Sequence, residues 1–168
     1  MTGIMVTETN RKEAITLLEQ GYELVKIALA GVPAEVIDFR PGPGRWTVHE
    51  IICHLADSEA NAYVRLRKIV AENGSSIAIY DQDTWAQELH YAEMDHLAAL
   101  ELFRLLRAAN HAIITSTSDI VWATHAVNHP EKGSFTLDDW LRTYSQHIPG
   151  HIRQIERNME AWRKASEG

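Results

Sequence analysis

The 168 residues of the chain are enough for one domain with a buried core, and we predict a single domain that spans residues 1–168. Acidic residues outnumber basic ones by 23 to 16, and the net charge of −7 argues against a nucleic-acid surface, which needs a basic patch. The single cysteine, Cys53, excludes an internal disulfide. Because no long uncharged apolar run and no leader-like start occurs, we expect a soluble cytoplasmic protein without a membrane segment.

Helical periodicity dominates the first part of the chain. Apolar residues recur at helical spacing over residues 8–30, and a glycine and a proline follow, which predicts a helix of that length. The prolines and glycines of residues 40–45 cannot continue a helix. Thr47 and Glu50 have the spacing of a capping box, so we predict a second helix over residues 47–71.

A long connection follows, over residues 74–94, in which residues 83–89 are expected to form a short helix. A connection of this length is unusual in a compact domain and often carries function. We therefore expect Tyr80, Asp81 and Trp85 to cover the mouth of a site.

The last part of the chain predicts two more long helices. The third helix is predicted over residues 95–115 from periodic apolar residues: Leu97, Leu100, Leu105, Ala108 and Ile113. Residues 121–133 are expected to be irregular, since no alternation of apolar residues predicts a strand there or elsewhere. Thr136 and Asp139 indicate a cap for the last helix, whose apolar side continues to Trp162. Together these elements predict an all-α four-helix bundle with one or two long crossover connections.

Three of the nine histidines fall on the apolar sides of predicted helices. His147 and His151 have a four-residue spacing, which places two side chains on one helix face, and His54 lies on the apolar stripe of the second helix. Two imidazoles in this arrangement can hold one metal ion with a third ligand from a facing helix. The alternative is three core histidines that are hydrogen-bonded to their neighbours. His129 is expected to have a structural role in a turn.

Pro149 lies between the two late histidines and would cost about 3 kcal/mol inside a helix. One alternative is that a helix ends near His147 and another begins at Pro149, which would separate the two imidazoles. The apolar register continues from Leu137 to Ile155 and favours a kinked but continuous helix. The motif is not H-E-x-x-H, so the glutamate of that class of metalloprotease is missing.

Neighbours of the three histidines suggest further roles. Asp57, three residues after His54, is the first candidate for a general base; the alternatives are a partner that orients a histidine and an ordinary helix carboxylate. Tyr144, three residues before His147, either polarises a substrate or packs in the core. Cys53 points away from its neighbour His54, and we do not expect it to be a nucleophile. A divalent ion on three neutral imidazoles keeps an open position, where it lowers the pKa of water to about 7 or holds a thiolate.

Four stretches stand out as a set: residues 46–59 (WTVHEIICHLADSE), 129–133 (HPEKG), 136–141 (TLDDWL) and 147–152 (HIPGHI). In order and placement they resemble the YfiT-like branch of the DinB superfamily of metal-binding helical bundles, over nearly the whole chain. The resemblance implies an up-down-down-up four-helix bundle and a homodimer. It also implies one divalent ion, zinc or nickel, held by His54, His147 and His151.

The same resemblance implies a metal-dependent enzyme that acts on a small molecule, by transfer of a low-molecular-weight thiol or by hydrolysis. One alternative is a metal-binding or stress-response bundle without catalysis, and another is a bundle whose histidines bind nothing. Ile148 and Pro149 stand where the YfiT-like branch has more polar residues. The ligands therefore carry over from the resemblance, and the substrate does not.

Overall fold

The computed structural model describes residues 8–167 and shows a four-helix bundle. The long helices are α1 (Glu8–Ala30), α3 (Val48–Ala71), α5 (His96–Ser116) and α7 (Leu137–Ser166). The shorter elements are α2 (Ala34–Ile37), α4 (Gln82–Glu88), a 3₁₀ turn (Tyr91–Glu93), α6 (Asp119–Thr124) and the strands β1 (Ala126–His129) and β2 (Gly133–Thr136). No helix in this described range is long and apolar enough to cross a membrane.

Capping boxes begin the two helices that carry the predicted metal ligands. At α3, the Glu50 N–H donates to Thr47 Oγ1 at 3.1 Å, and the Thr47 N–H donates to Glu50 Oε2 at 2.8 Å. At α7, the Asp139 N–H donates to Thr136 Oγ1 at 3.2 Å, and the Thr136 N–H donates to Asp139 Oδ2 at 3.0 Å. Each cap satisfies backbone groups that a first helical turn leaves without partners, so it fixes where the helix begins. Both predicted helix starts are confirmed.

Contacts near the helix ends show the direction of each helix. Arg11, near the start of α1, forms an ion pair of 3.0 Å with Asp138 at the start of α7, so these two helices run in parallel. The rings of His49 and His96, at the starts of α3 and α5, are 4.5 Å apart, so these two also run in parallel. Asn158, near the end of α7, donates to the backbone just before α3, which makes α3 and α7 antiparallel. The bundle is therefore up-down-down-up, as expected.

The expectation of an irregular stretch over residues 121–133, with no strand in the chain, is wrong. This region contains the end of α6 and the strand β1, which pairs with β2 in an antiparallel hairpin. Each strand has four residues and buries one apolar side chain, Val127 or Phe135, so the alternation is too short to recognise in the sequence. The structural role of His129 is supported, since its Nδ1 accepts the Glu131 N–H at 3.2 Å.

The interior of the bundle has two apolar clusters with a polar layer between them. The first cluster is built around Leu18, Leu66, Ile114 and Trp140. The second is built around Val25, Ile52, Phe103 and Ile148. Between them along the helices lies the polar layer, formed by Glu59, Arg107 and Asn110, whose exposed fractions are 1%, 2% and 0%.

Several of the apolar residues that predicted α5 lie away from its buried face, which is partly polar. Leu97 and Leu105 are 67% and 51% exposed. The buried face instead includes Phe103 and the polar Arg107 and Asn110. Apolar periodicity locates a helix, but it misplaces the buried face when polar side chains occupy that face.

Candidate metal centre

Three histidine side chains from two antiparallel helices meet beside the polar layer. His147 Nε2 of α7 lies 3.3 Å from His54 Nε2 of α3 and 3.0 Å from His151 Nε2 of α7. One nitrogen from each ring lies within 4.8 Å of the others. Among residues 8–167, this is the one group of three or more histidine, cysteine or acidic side chains that could hold a metal ion. The structure therefore brings together the three residues that the sequence indicates.

Helix α7 continues through Pro149, which decides between the two alternatives for this segment. Pro149 lies inside the single helix Leu137–Ser166, so no second helix begins there. The rings of His147 and His151 are 4.5 Å apart, as expected for neighbours on one helix face. The four-residue spacing therefore gives the adjacent pair that a shared ligand needs.

Two of the three separations between the ring nitrogens, those that involve His147, fit a common metal ion. Bonds of about 2.0–2.1 Å from imidazole nitrogens to a divalent ion place two such nitrogens about 3.0–3.4 Å apart at ordinary coordination angles. The two separations around His147 Nε2, 3.0 and 3.3 Å, fall in this range. Three protein ligands leave further coordination positions for a water molecule or a substrate.

All three imidazoles are held in the neutral form that binds metal. Burial, and then the proximity of His151, lowers the pKa of His54 to about 3. Burial is also the main cause that lowers the pKa of His147 well below its ordinary value, with contributions from His151, His54 and Arg107. The pKa of His151 is lowered by burial, and its hydrogen bond with Gln154 opposes this change. A neutral imidazole keeps a nitrogen lone pair for a metal ion, and a protonated one does not.

Gln154 and Trp46 hold two of the rings in place. Gln154 Oε1 lies 3.0 Å from His151 Nδ1 and accepts its hydrogen, which leaves the lone pair on Nε2. The Trp46 ring lies 4.7 Å from the His54 ring and stacks on His151 at 6.5 Å with an angle of 8°. His54 Nδ1 is buried without a hydrogen-bond partner among the described residues, so packing holds this ring. We did not predict a role for Gln154 from the sequence, although its three-residue spacing from His151 indicates that the two side chains can meet on one helix face.

Asp57 and Tyr144, the two predicted catalytic residues, make contacts away from the three imidazoles. Asp57 Oδ2 accepts a hydrogen bond of 2.5 Å from the hydroxyl of Tyr91. The Tyr144 hydroxyl accepts one of 3.0 Å from Arg65 Nη1, and burial raises the pKa of Tyr144 to about 12. Asp57 therefore has a phenol partner in the described structure, and its role as a base stays a prediction, as does the role of Tyr144.

A small cleft opens beside His151. Its volume is about 220 Å³, and it is lined by Gly44, Arg45, Trp46, Gln82, Asp83, His151 and Gln154. The long connection contributes to its mouth, as expected, but through Gln82 and Asp83 at the start of α4. Tyr80 and Trp85 pack against each other with ring centroids 4.5 Å apart, and Asp81 Oδ1 caps α4 by accepting the Thr84 N–H. Sequence patterns missed this lining because it depends on how α4 folds back towards α7.

Comparison with known proteins identifies related sequences. The family model of the DinB superfamily matches residues 17–155. A protein of Oceanobacillus iheyensis is 29% identical over 150 residues, which cover 89% of this chain and 86% of that protein. YfiT of Bacillus subtilis is 26% identical over 157 residues, which cover 92% of this chain and 88% of YfiT. Both relatives carry the name "putative metal-dependent hydrolase".

Two solved structures show the same fold. The structure of Bacillus subtilis YfiT, described as a four-helix bundle of unusual topology, superposes with a TM-score of 0.84 at 25% identity, covering 99% of this chain and 93% of YfiT. A mycothiol-dependent maleylpyruvate isomerase superposes with a TM-score of 0.69 at 16% identity, covering 86% of this chain and 60% of the isomerase. The likeness to the isomerase shows the fold alone.

Proposed function

Because this chain belongs to the DinB superfamily, we propose that it is a metal-dependent enzyme that acts on a small molecule. Transfer of a low-molecular-weight thiol to an electrophile is the favoured reaction, and hydrolysis is the second. The observation that carries the proposal is the convergence of three neutral imidazole nitrogens, from His54, His147 and His151, beside an open cleft.

The ligand set suits zinc or nickel and leaves the charge of the ion uncompensated. His54, His147 and His151 would hold the ion through Nε2, and nitrogen ligands of this kind are common for both metals. When bound, a divalent ion on three neutral ligands favours the thiolate form of a thiol or lowers the pKa of a water molecule. Gln154 fixes the orientation of one ligand ring, and the Trp46 ring packs against two of them.

The cleft fits a small polar substrate. Its volume of about 220 Å³ is below the roughly 300–1,000 Å³ of pockets that enclose drug-sized ligands. Arg45 and Asp83 place opposite charges on its walls, and Gln82 and Gln154 add amide groups that donate and accept hydrogen bonds. This lining favours a molecule that carries charged groups, such as a thiol with carboxylate or ammonium groups.

The contacts of Asp57 favour thiol transfer over hydrolysis. Hydrolysis benefits from a general base within hydrogen-bond reach of the attacking water. One carboxylate oxygen of Asp57 instead accepts the Tyr91 hydroxyl at 2.5 Å. Thiol transfer needs no such base once the thiolate is formed, and the isomerase of the same fold is named as mycothiol-dependent. The names of the closer relatives support hydrolysis as the second candidate.

Metal analysis tests the site. We expect the purified wild-type protein to bind one divalent ion per chain, and His54→Ala and His151→Ala to bind far less. His111→Ala, which removes an imidazole from the outer part of α5, is the matched control and should bind as the wild type does. Equal metal content in the wild type and in both site variants would reject the proposed metal centre.

Turnover separates an enzyme from a metal-binding protein. The metal-loaded protein is incubated with an aromatic halide electrophile and a panel of cellular thiols, and separately with ester and amide substrates. We expect thiol conjugation that is lost in His151→Ala. Hydrolysis without conjugation would favour the second candidate. Metal binding without turnover in either assay would favour the non-catalytic alternative.

A further inference from the structure

Arg107 is a buried cation in the middle of the bundle that the proposed chemistry does not use. It lies on α5, which carries no metal ligand, and its exposed fraction is 2%. Its partner is Glu59 of α3, at 2.6 Å between Arg107 Nη2 and Glu59 Oε2. Breaking such a pair is costly, but replacing both members with well-packed apolar residues is often neutral or stabilising. Stability alone therefore gives no strong reason for a charge at this position.

A second contact of Arg107 connects it to α7. Arg107 Nη1 donates to the backbone carbonyl of Tyr144 at 3.2 Å, three residues before the ligand His147. Glu59, which holds the other side of the guanidinium, lies five residues after the ligand His54 on α3. The ion pair is thus a bridge between the two ligand-carrying helices, one turn or so away from the ligands on each.

Pro149 weakens α7 at the same place. Proline has no N–H, so the carbonyl of Ser145, four residues earlier, loses its normal helical donor, and the ring crowds that carbonyl. Ser145 is 1% exposed, so solvent does not replace the missing donor. The turn that carries His147 and His151 therefore lacks one internal hydrogen bond of α7. Arg107 supplies a donor from another helix to this turn.

The packing of α1 makes room for this contact. A Cβ atom on Gly21 would lie 3.3 Å from Arg107 Nη1 and 3.4 Å from Ile148 Cγ1, a side chain of the interrupted turn. Glu59 is held in turn by Asn110, whose Nδ2 donates to Glu59 Oε1 at 2.7 Å. Side chains of α3 and α5 and the backbone of α1 therefore fix one position for the guanidinium.

We propose that Arg107, held by Glu59, is a positioning residue for the metal centre: it fixes the Pro149-interrupted turn of α7 so that His147 and His151 face His54. The inference rests on the proposed function for the existence of the metal. It does not depend on which reaction the metal supports. Arg107 acts through the backbone at Tyr144 and touches neither the metal nor the substrate.

The test measures metal affinity in variants that leave no unpaired charge. Arg107→Met combined with Glu59→Gln removes the ion pair from both sides, and Arg107→Lys keeps the charge but loses the planar fork that reaches two partners. We expect zinc affinity, measured by calorimetric titration, to fall about 10-fold or more in the double variant, as for other residues that orient ligands. The absorption spectrum of the cobalt-loaded protein should also change, because it reports ligand geometry. Arg107→Lys should lie between the double variant and the wild type.

Pro149→Ala provides the rescue. Alanine restores a donor for the Ser145 carbonyl, so adding Pro149→Ala to the double variant should recover most of the lost zinc affinity. Ile114→Val, which removes one buried methylene from α5 two turns away, is the control for general destabilisation. It should lower the melting temperature of the metal-free protein and leave zinc affinity unchanged.

Three outcomes would contradict the inference. Wild-type zinc affinity in the double variant, with only a lower melting temperature, would overturn the positioning role and leave the proposed function intact. A loss of affinity that Pro149→Ala does not repair would overturn the action through the interrupted turn. Absence of zinc, nickel and cobalt binding in the wild type would overturn both the inference and the proposed metal centre.

Discussion

The buried neutral His54 makes the stability of the metal-free protein depend on pH. Its pKa is lowered from 6.5 to about 3, chiefly by burial. In the unfolded chain the same imidazole titrates near its ordinary value, so on acidification the unfolded state takes up the proton first. The contribution of neutral His54 to the free energy of unfolding is therefore fully present well above pH 6.5, and it is lost as the pH falls from 6.5 towards 3.

The size of this loss of stability at pH 5 follows from the pKa values of His54 in the folded and unfolded states. At pH 5 an imidazole with a pKa of 6.5 is protonated about 30 times as often as it is neutral, whereas folded His54 remains neutral. The unfolded state gains RT times the logarithm of about 33, which is about 2 kcal/mol. His54 is 1% exposed, so solvent screening does not reduce this figure much. A loss of 2 kcal/mol is a large fraction of the roughly 5–15 kcal/mol of a typical domain.

Chemical denaturation of the chelator-treated protein at pH 8 and pH 5 measures the effect. Between the two pH values, the loss of unfolding free energy should be about 2 kcal/mol smaller in His54→Leu than in the wild type. Ile52→Val, a buried change on the same helix without a titrating group, should be less stable at both pH values and should keep the wild-type pH dependence. An equal pH-dependent loss in His54→Leu and the wild type would refute the reasoning.

Three further predictions follow from single contacts. Gln154→Leu removes the acceptor of His151 Nδ1–H and should weaken zinc binding about 10–100-fold by titration; unchanged affinity would show that the contact does not orient the ring. Thr136→Ala removes the hydroxyl that accepts the Asp139 N–H and caps α7. It should lower the unfolding free energy by about 1 kcal/mol in denaturant titrations. Burial raises the pKa of the Cys53 thiol to about 11, so a thiol reagent should react at neutral pH only after denaturation; fast labelling of the native protein would contradict this.

The parts of the fold that could be predicted are those for which the sequence carries a local signal. The bounds of the four long helices follow from apolar periodicity and from side chains such as Thr47 that cap them. The hairpin of β1 and β2 carries no such signal, because each strand is four residues long. The buried face of α5 was hidden because Arg107 and Asn110 are polar, and their burial depends on Glu59 from another helix.

The metal centre could be predicted only in part, because only part of it has a local signal in the sequence. The spacing of His147 and His151 indicates a shared face. The apolar stripe of α3 made His54 a candidate for the third ligand, but 93 residues separate it from His147, so the family resemblance supported this choice more strongly than spacing did. The cleft depends on how α4 lies against α7, which no local pattern encodes. The homodimer, the cytoplasmic location and the choice of metal stay predictions.

The up-down-down-up connection also affects how the protein folds. Parallel packing of α1 and α7 joins residues far apart in the chain, as in the Arg11–Asp138 pair, which spans 127 residues. Most helical bundles are rich in local contacts and fold in microseconds to milliseconds, and distant contacts slow this step. We expect this bundle to fold more slowly than an up-and-down bundle of its length. The histidine ligands meet only when distant helices have docked, so a bound metal should mainly slow unfolding rather than speed folding.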